Sequence, residues 1–361
     1  MERVACNYCF VWQIGAFVDS ELPLVSVVCI TYNHEKYIRQ ALDGFVMQQC
    51  SFPIEIIVHD DASTDNTVNI INEYLEKCSY MRAIFQKENQ YSKSDFDCFE
   101  GLYKRETRGK YIAVCEGDDY WIDPLKLEKQ IHFLETNPDY GMSYTQAKYY
   151  VQKENKFTTI IGGYLNTFDS FILRKTWVPT LTVIMRKNLL AKYYDEIKPR
   201  EQKWLLGDLP KWLWFVKNSK IQFEDCVTGV YRALSESVSN TGDAEKKIRF
   251  FKSCVSVREY FINKYGVEDK STLYEFLFMN IWETFRYACM LNNDRLFKEV
   301  QRLIGEKIKI GYLRLFYIKL VLLCRPVRYL WPTYLKIRYE YLKFTENIQN
   351  LKFSIKKCKN S

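Results

Sequence analysis

The sequence predicts an α/β protein built on a doubly wound, mostly parallel sheet. Three observations carry that prediction. Apolar runs of strand length alternate with stretches of helical period between residues 25 and 115. The runs are continuous rather than alternating, as in strands covered on both faces. Each run stops at a polar cluster, and in such sheets ligands gather at the carboxyl ends of the strands.

VSVVCI at 25–30 is the first buried strand, and Ile38, Ala41, Leu42, Phe45 and Val46 then share one helical face. IEIIVH at 54–59 is the second strand. A helix from Asn66 follows, with Val68, Ile71 and Leu75 at helical spacing and Ser63 to Asp65 as candidate caps. MRAIFQ at 81–86 and YIAVC at 111–115 are two further strands. This order implies parallel neighbours joined by right-handed crossovers. Residues 1–22 show no clear period, end in the turn-like DSELP, and are read as an N-terminal extension.

With 361 residues the chain is long enough for one large domain or two ordinary ones. Hydrophobic residues at 47% and charged residues at 27% are ordinary for a soluble globular protein and exclude a disordered one, whereas 16% aromatic residues is high. The 12 cysteines are scattered and no signal peptide precedes them, so a reducing cytoplasm is expected rather than a disulfide framework. Cys6 and Cys9 have zinc-ligand spacing without the second pair that a zinc site needs.

The formal charge of +8 is unevenly placed, since residues 301–361 hold 14 Lys and Arg against 3 Glu. The most apolar part of this tail, 308–324, is interrupted by Arg314 and Lys319 and is too short to span a bilayer. Two readings stand side by side. The tail lies on an anionic membrane surface, with Tyr312, Phe316, Tyr317 and Trp331 at the interface, or it is a terminal helical region with its lysines in solvent. Its charges are interleaved with apolar residues and no nucleic-acid motif accompanies them, so nucleic acid is not an expected partner.

Four polar clusters follow the four strands: TYN at 31–33, DDASTDNT at 60–67, KEN at 87–89 and EGDDYW at 116–121. In the last, Glu116, Asp118 and Asp119 fall within four residues. Carboxylates this close repel unless a cation sits between them, and oxygen ligands suit Mg²⁺ or Mn²⁺. The bland alternative is an acidic turn leading into a helix over 125–135, with Asp123 before Pro124 as its cap. Asp60 and Asp61 likewise either accept hydrogen bonds from a ligand or make Asx turns, while Asp65 and Thr67 read as structural.

PLVSVVCITYNHEKYIRQALDGF, EIIVHDDASTDNT and GKYIAVCEGDDYWIDPLKLEKQIHFLE, in this order and spacing, resemble the family-2 glycosyltransferases of bacterial polysaccharide synthesis over roughly residues 23–240. The resemblance implies a GT-A fold: a mixed, mostly parallel sheet flanked by helices. A nucleotide-binding half would occupy 23–121 and an acceptor half 122–240, followed by a helical, basic C-terminal region over 241–361. It implies a nucleoside-diphosphate sugar donor, UDP-sugar first, and a hydroxyl acceptor on a glycan or lipid-linked glycan, with inversion at the anomeric carbon. The place is then the cytoplasm, with contact at the inner face of the membrane through 301–361.

By the same resemblance Thr31, Tyr32 and Asn33 line the nucleotide pocket, and Asp60 or Asp61 reads the base. The family's Asp-x-Asp stands here as Glu116, Gly117, Asp118, followed by Asp119. The metal ligand, for Mn²⁺ or Mg²⁺, is therefore Asp118 or Asp119, and Glu116 replaces the usual first Asp. Asn89 and Lys87 are candidate phosphate or ribose contacts. Arg232, in VYRALSESVS, is a candidate partner of the diphosphate. Asp208, in LLGDLPKWLWF, resembles the acceptor-side base, with Asp195 and Glu201 as rivals and a helix N-cap as its bland role. A single inverting displacement needs one such carboxylate.

Trp177, Trp204, Trp212 and Trp214 are candidates for stacking on acceptor sugars, although the spacing of Trp212 and Phe215 favours core packing. A nucleotidyltransferase would carry a glycine-rich basic loop where this chain has TYNHEKY. A glycosyltransferase fold that binds glycans without turnover is the rival from another class.

Overall fold

The computed structural model describes residues 11–13, 22–91, 100–165, 167–173, 177–234 and 243–307. Cys6, Cys9 and the tail from 308 onward, with its interfacial aromatics, lie outside the described residues. The chain divides into two compact units, one of residues 1–240 and 252–268, the other of 241–251 and 269–361.

The first unit opens with strand β1 (Val11–Gln13), then β2 (Val25–Thr31), helix α1 (Ile38–Val46), β3 (Ile54–Asp60), α2 (Thr67–Leu75), β4 (Met81–Phe85) and β5 (Tyr111–Glu116). These are the strands and helices read from the hydrophobic pattern, each within a residue or two. β1 was not anticipated: it pairs antiparallel with β4 from within the stretch read as an extension. β2, β3, β4 and β5 form a parallel core in the order β4-β3-β2-β5. The chain runs outward from β2 on one side and returns to its other side, so a topological switch point falls between β2 and β5.

Beyond β5 the unit continues with β6 (Tyr120–Trp121), helix α3 (Lys126–Thr136) and the long hairpin of β7 (Tyr140–Val151) and β8 (Lys156–Ile161). Helix α4 (Phe168–Ile172), β9 (Ile184–Arg186), α5 (Lys187–Ile197), the single turn α6 (Pro199–Gln202), α7 (Asp208–Asn218) and β10 (Lys220–Ala233) complete the sheet-bearing part. Here the sheet becomes mixed. β9 is antiparallel to both β5 and β7, β10 is parallel to β7, and β6 closes the edge antiparallel to β10. A mixed, mostly parallel sheet flanked by helices is the GT-A-like architecture expected.

The parallel strands are Val- and Ile-rich and sealed on both faces, with Val25, Val27, Val28, Ile56, Ile57 and Val58 fully buried. Glu55, a buried carboxylate at the amino end of the sheet, is satisfied by the Ser26 hydroxyl (2.5 Å) and the Arg108 backbone N–H (2.6 Å). Helix α1 lies close enough to β6 that a Cβ on Gly44 would stand 2.9 Å from the Trp121 backbone nitrogen. Only glycine permits that approach.

Helix α8 (Ala244–Tyr265) contributes to both units. The second unit is helical, as expected for the C-terminal region. Its α9 (Lys270–Leu291) is capped by Asp269, whose Oδ1 accepts from the Ser271 N–H at 2.8 Å, and ends at Asn292 in the left-handed region. Ile281, Phe285 and Ala288 of α9 form a core with Phe297 and Val300 of α10 (Asp294–Lys307). Among the described residues no helix is long and apolar enough to cross a membrane.

Candidate active site

The carboxyl ends of β2, β3 and β5 meet at one rim: Thr31 is in register with Asp60, and Ile30 with Glu116. The loops after β2 and β3 are zipped together. Asn33 sits at φ 54°, where Asn is tolerated. Its N–H donates to Ser63 Oγ (2.8 Å) and its Oδ1 accepts from the Thr64 N–H (2.8 Å). Thr67 Oγ1 accepts from the His34 N–H, and Asp65 accepts from the N–H groups of Glu35 and Thr67, the structural roles expected of both residues. Tyr32 escapes this zipper, with 41% of its surface exposed at the rim.

Asp60 and Asp61 are both buried, and both carboxylates are spent inside the protein. Asp60 accepts from the N–H and hydroxyl of Ser63. Burial still raises its pKa above the usual range. Asp61 accepts from the N–H groups of Gln90 (2.7 Å) and Tyr91 (3.0 Å), fixing the loop that carries exposed Lys87 and half-buried Asn89.

The turn after β5 is built differently. The Gly117 N–H donates to the Ile30 carbonyl at 2.9 Å, and a Cβ at Gly117 would fall 2.6 Å from Thr31 Oγ1 and 3.0 Å from His34 Nδ1. Those two atoms and Glu116 Oε2 are buried with no hydrogen-bond partner. Burial, reinforced by Asp118 and then Asp208, pushes Glu116 up to about 7. Burial, Asp118 and Glu116 also raise Asp119 well above the carboxylate range. Burial lowers His34, which is too dry to hold a proton easily. Such crowding of acids is relieved by a cation.

Arg232 holds this turn in place. Its backbone N–H donates to Asp119 Oδ1 (2.7 Å) and its Nε to the Asp118 carbonyl (2.7 Å). The two terminal nitrogens donate to Gln152 Oε1 (2.7 Å) and Gln40 Oε1 (2.5 Å). The rings of Tyr37, Tyr120 and Tyr150 surround its guanidinium within 5.6 Å. The side chain expected to meet a diphosphate is thus engaged with the metal-motif turn, α1 and the β7–β8 connection. The backbone clamp ties down Asp119, whereas among the described residues no hydrogen-bond donor reaches the Asp118 carboxylate.

Asp208 is the first residue of α7, and its Oδ1 accepts from the adjacent Leu209 N–H at 2.7 Å. Gly207 holds the N-cap position, so Asp208 stands one place inside the cap expected of it. Its charge is among the causes that raise Glu116. Its rivals are exposed and paired elsewhere, Asp195 with Lys104 (2.5 Å) and Glu201 with Lys198 (4.0 Å). Trp204, Trp212 and Trp214 are buried in the core, while half-buried Trp177 packs on Tyr231 and Tyr149. Asp123 does not cap α3 through its first turn. It accepts from the Leu125 N–H and pairs with Lys129.

Sequence reasoning passed over Lys211, buried one turn beyond Asp208, and Lys126, fully buried beneath the Trp121 ring at 4.5 Å. Each is a lone cation on an apolar helical face, and that was the available signal.

The donor set suits Mg²⁺ or Mn²⁺: among the described residues the Asp118 carboxylate accepts no hydrogen bond, and the orphaned Oε2 of Glu116 lies two positions before it. Among the described residues no three His, Cys, Asp or Glu side chains converge tightly enough to hold an ion alone. Such ions commonly complete their shell with substrate phosphates.

The mixed, mostly parallel sheet flanked by helices is a GT-A-like fold. Residues 26–193 match the family model for glycosyl transferase family 2. An uncharacterized protein of Mycobacterium tuberculosis is 36% identical over 178 residues, covering 48% of this chain and 49% of that protein. The chain therefore spans about half the length of that relative. The UDP-Glc:alpha-D-GlcNAc-diphosphoundecaprenol beta-1,3-glucosyltransferase WfaP of Escherichia coli is 28% identical over 223 residues, 60% of this chain and 80% of that one. Among solved structures, a mannosyltransferase of Pyrobaculum calidifontis in complex with GDP-Man and Mn²⁺ aligns with TM-score 0.49 and 15% identity, over 90% of this chain and 86% of that one.

Proposed function

We propose that the protein transfers a sugar from a UDP-sugar to a hydroxyl of a glycan or lipid-linked glycan, with inversion and with the help of Mn²⁺ or Mg²⁺. The observation that carries this reading is the turn Glu116–Asp119, whose carboxylates crowd one another at the switch point with Asp208 in electrostatic reach. The name of the E. coli relative supports the donor and acceptor classes, since it specifies UDP-Glc and a diphosphoundecaprenol-linked sugar.

In this reading Tyr32 stacks on the base and the zipped loops of Asn33 and Asp60 shape the nucleotide pocket. Asp118, with Glu116 beside it, holds the ion, which when bound neutralises charge gathering on the leaving diphosphate. Arg232 positions Asp118 and Asp119 rather than touching phosphate. Asp208 accepts the proton of the attacking hydroxyl as that oxygen bonds to the anomeric carbon. The basic residues of 301–361 hold the enzyme to the inner face of the membrane, where a lipid-linked acceptor is found.

The test is release of nucleoside diphosphate from a panel of nucleotide sugars with Mn²⁺, with and without lipid-linked acceptors. UDP-sugars are expected to turn over. Glycan binding without release from any donor would overturn the enzymatic reading.

A further inference from the structure

Lys211 sits where a lysine has every physical reason not to be. It is 8% exposed, within the otherwise apolar run of α7. It stands in the first turn, at the positive end of the helix dipole. Lysines are almost never fully buried unless paired. Among the described residues its ammonium has no hydrogen bond and no ion pair, only the faces of Tyr103 at 5.4 Å and Trp212 at 6.0 Å. It stands three residues beyond Asp208 on the same face of α7, and Asp208 and Glu116 are the acids whose charge acts on it. Burial lowers its pKa, and those two acids oppose the shift.

Two further donors nearby are orphaned. The Trp212 indole N–H, next along the helix, and the Tyr193 hydroxyl, within reach of Asp208, are buried without partners. Two orphaned donors, together with an ammonium on the helix that Asp208 opens and without a hydrogen bond among the described residues, suit a ligand rich in oxygen lone pairs. In a transferase that displaces a diphosphate, the group between base and metal is the donor sugar.

The geometry points to Lys211 as a specificity-determining contact to the donor sugar, reading it through hydroxyl oxygens and selecting neutral sugars over uronic acids. This rests on the glycosyltransferase reading. The choice of neutral sugars follows from charge. Asp208 stands one turn before Lys211 on α7, so a sugar carboxylate would be a second acid for one ammonium.

The test is titration of the full chain with UDP, UDP-glucose, UDP-N-acetylglucosamine and UDP-glucuronic acid, each with Mn²⁺, in wild type, Lys211→Met and Lys211→Gln. UDP affinity reports folding and the nucleotide site, and is expected to hold within about twofold in both variants. For the better bound of the two neutral donors, the ratio of its Kd to that of UDP should rise about tenfold in Lys211→Met, the size of one charge-assisted hydrogen bond. Lys211→Gln, which keeps a donor, should recover part of the loss. Wild type should bind UDP-glucuronic acid at least tenfold more weakly than UDP-glucose.

If Lys211→Met shifts UDP and UDP-sugar equally, or shifts neither, the sugar contact is wrong while the enzyme class stands. Should Lys211→Met not fold, an unchanged ratio in Lys211→Gln overturns it too. Equal or tighter binding of UDP-glucuronic acid by wild type overturns the neutral-sugar selection. Failure of wild type to bind UDP at all would bring down the glycosyltransferase reading and this inference with it.

Discussion

Two Asp-Asp pairs end neighbouring parts of the parallel sheet, Asp60–Asp61 after β3 and Asp118–Asp119 after β5, and they have opposite lives. Both carboxylates of the first pair are consumed by backbone N–H and hydroxyl donors of the protein itself. In the second pair Asp119 is held by the Arg232 N–H, whereas among the described residues Asp118 receives no donor and Glu116 keeps an orphaned oxygen. A carboxylate that folding has satisfied is a strut. One that folding has left crowded and unsatisfied stores a demand for something from outside.

That contrast can be broken at either pair. The largest effect is expected at Asp118. Asp118→Ala should weaken Mn²⁺-dependent UDP binding by about a hundredfold or more while leaving the protein folded, since a repelling charge is removed. Tight Mn²⁺-dependent UDP binding by the variant would erase the distinction between the pairs.

Across the rim, Asp208→Asn should lower kcat by about 10²–10⁴ with donor binding intact. A near-normal rate would remove it as the base. At the first pair the expected loss is structural. Asp61→Ala strands the N–H groups of Gln90 and Tyr91 and should cost about 1–3 kcal/mol in urea unfolding. An unchanged midpoint would show that the loop does not depend on its carboxylate.

The smallest effect concerns the floor beneath the second pair. Lys126 donates to Gln130 Oε1 at 2.8 Å, and burial lowers its pKa from 10.5 to about 7. Between those values the unfolded chain binds the extra proton, so this group makes stability rise with pH from about 7 toward 10.5. The slope is at most about 1.4 kcal/mol per pH unit. Lys126→Met should flatten that slope, as read from urea midpoints at pH 7 and 9, and an identical pH dependence would show that the lysine stays charged when folded.

The sequence could not tell the two pairs apart, and the reason is physical. Each follows a buried strand, and each is followed by residues able to make a turn. Which carboxylate finds a donor depends on chain far away: Asp61 on 90–91, Asp119 on residue 232. The parallel strands were legible because their signal is local, continuous Val and Ile against helical period. The β7–β8 hairpin and β10 were harder, since both are long, part exposed and interrupted by register shifts. The rim was legible as clusters after strands, and its outward members, Tyr32 and Asp118, lie there. Arg232 was legible as a site residue, whereas its bonds to the 118–119 turn depend on residues more than a hundred positions away. Lys211 was missed because a cation on a helix reads as solvated until its burial is known.

The clamp on the metal-motif turn also sets an order of events during synthesis. Glu116, Asp118 and Asp119 leave the ribosome more than a hundred residues before Arg232, the residue that fastens their turn. Until it arrives the parallel half has its strands but not its finished turn, and nucleotide captured early would find the acids unaligned. Completion of the site is thus written into the last strand of the sheet, so a nascent chain becomes competent only once nearly the whole transferase domain has been made.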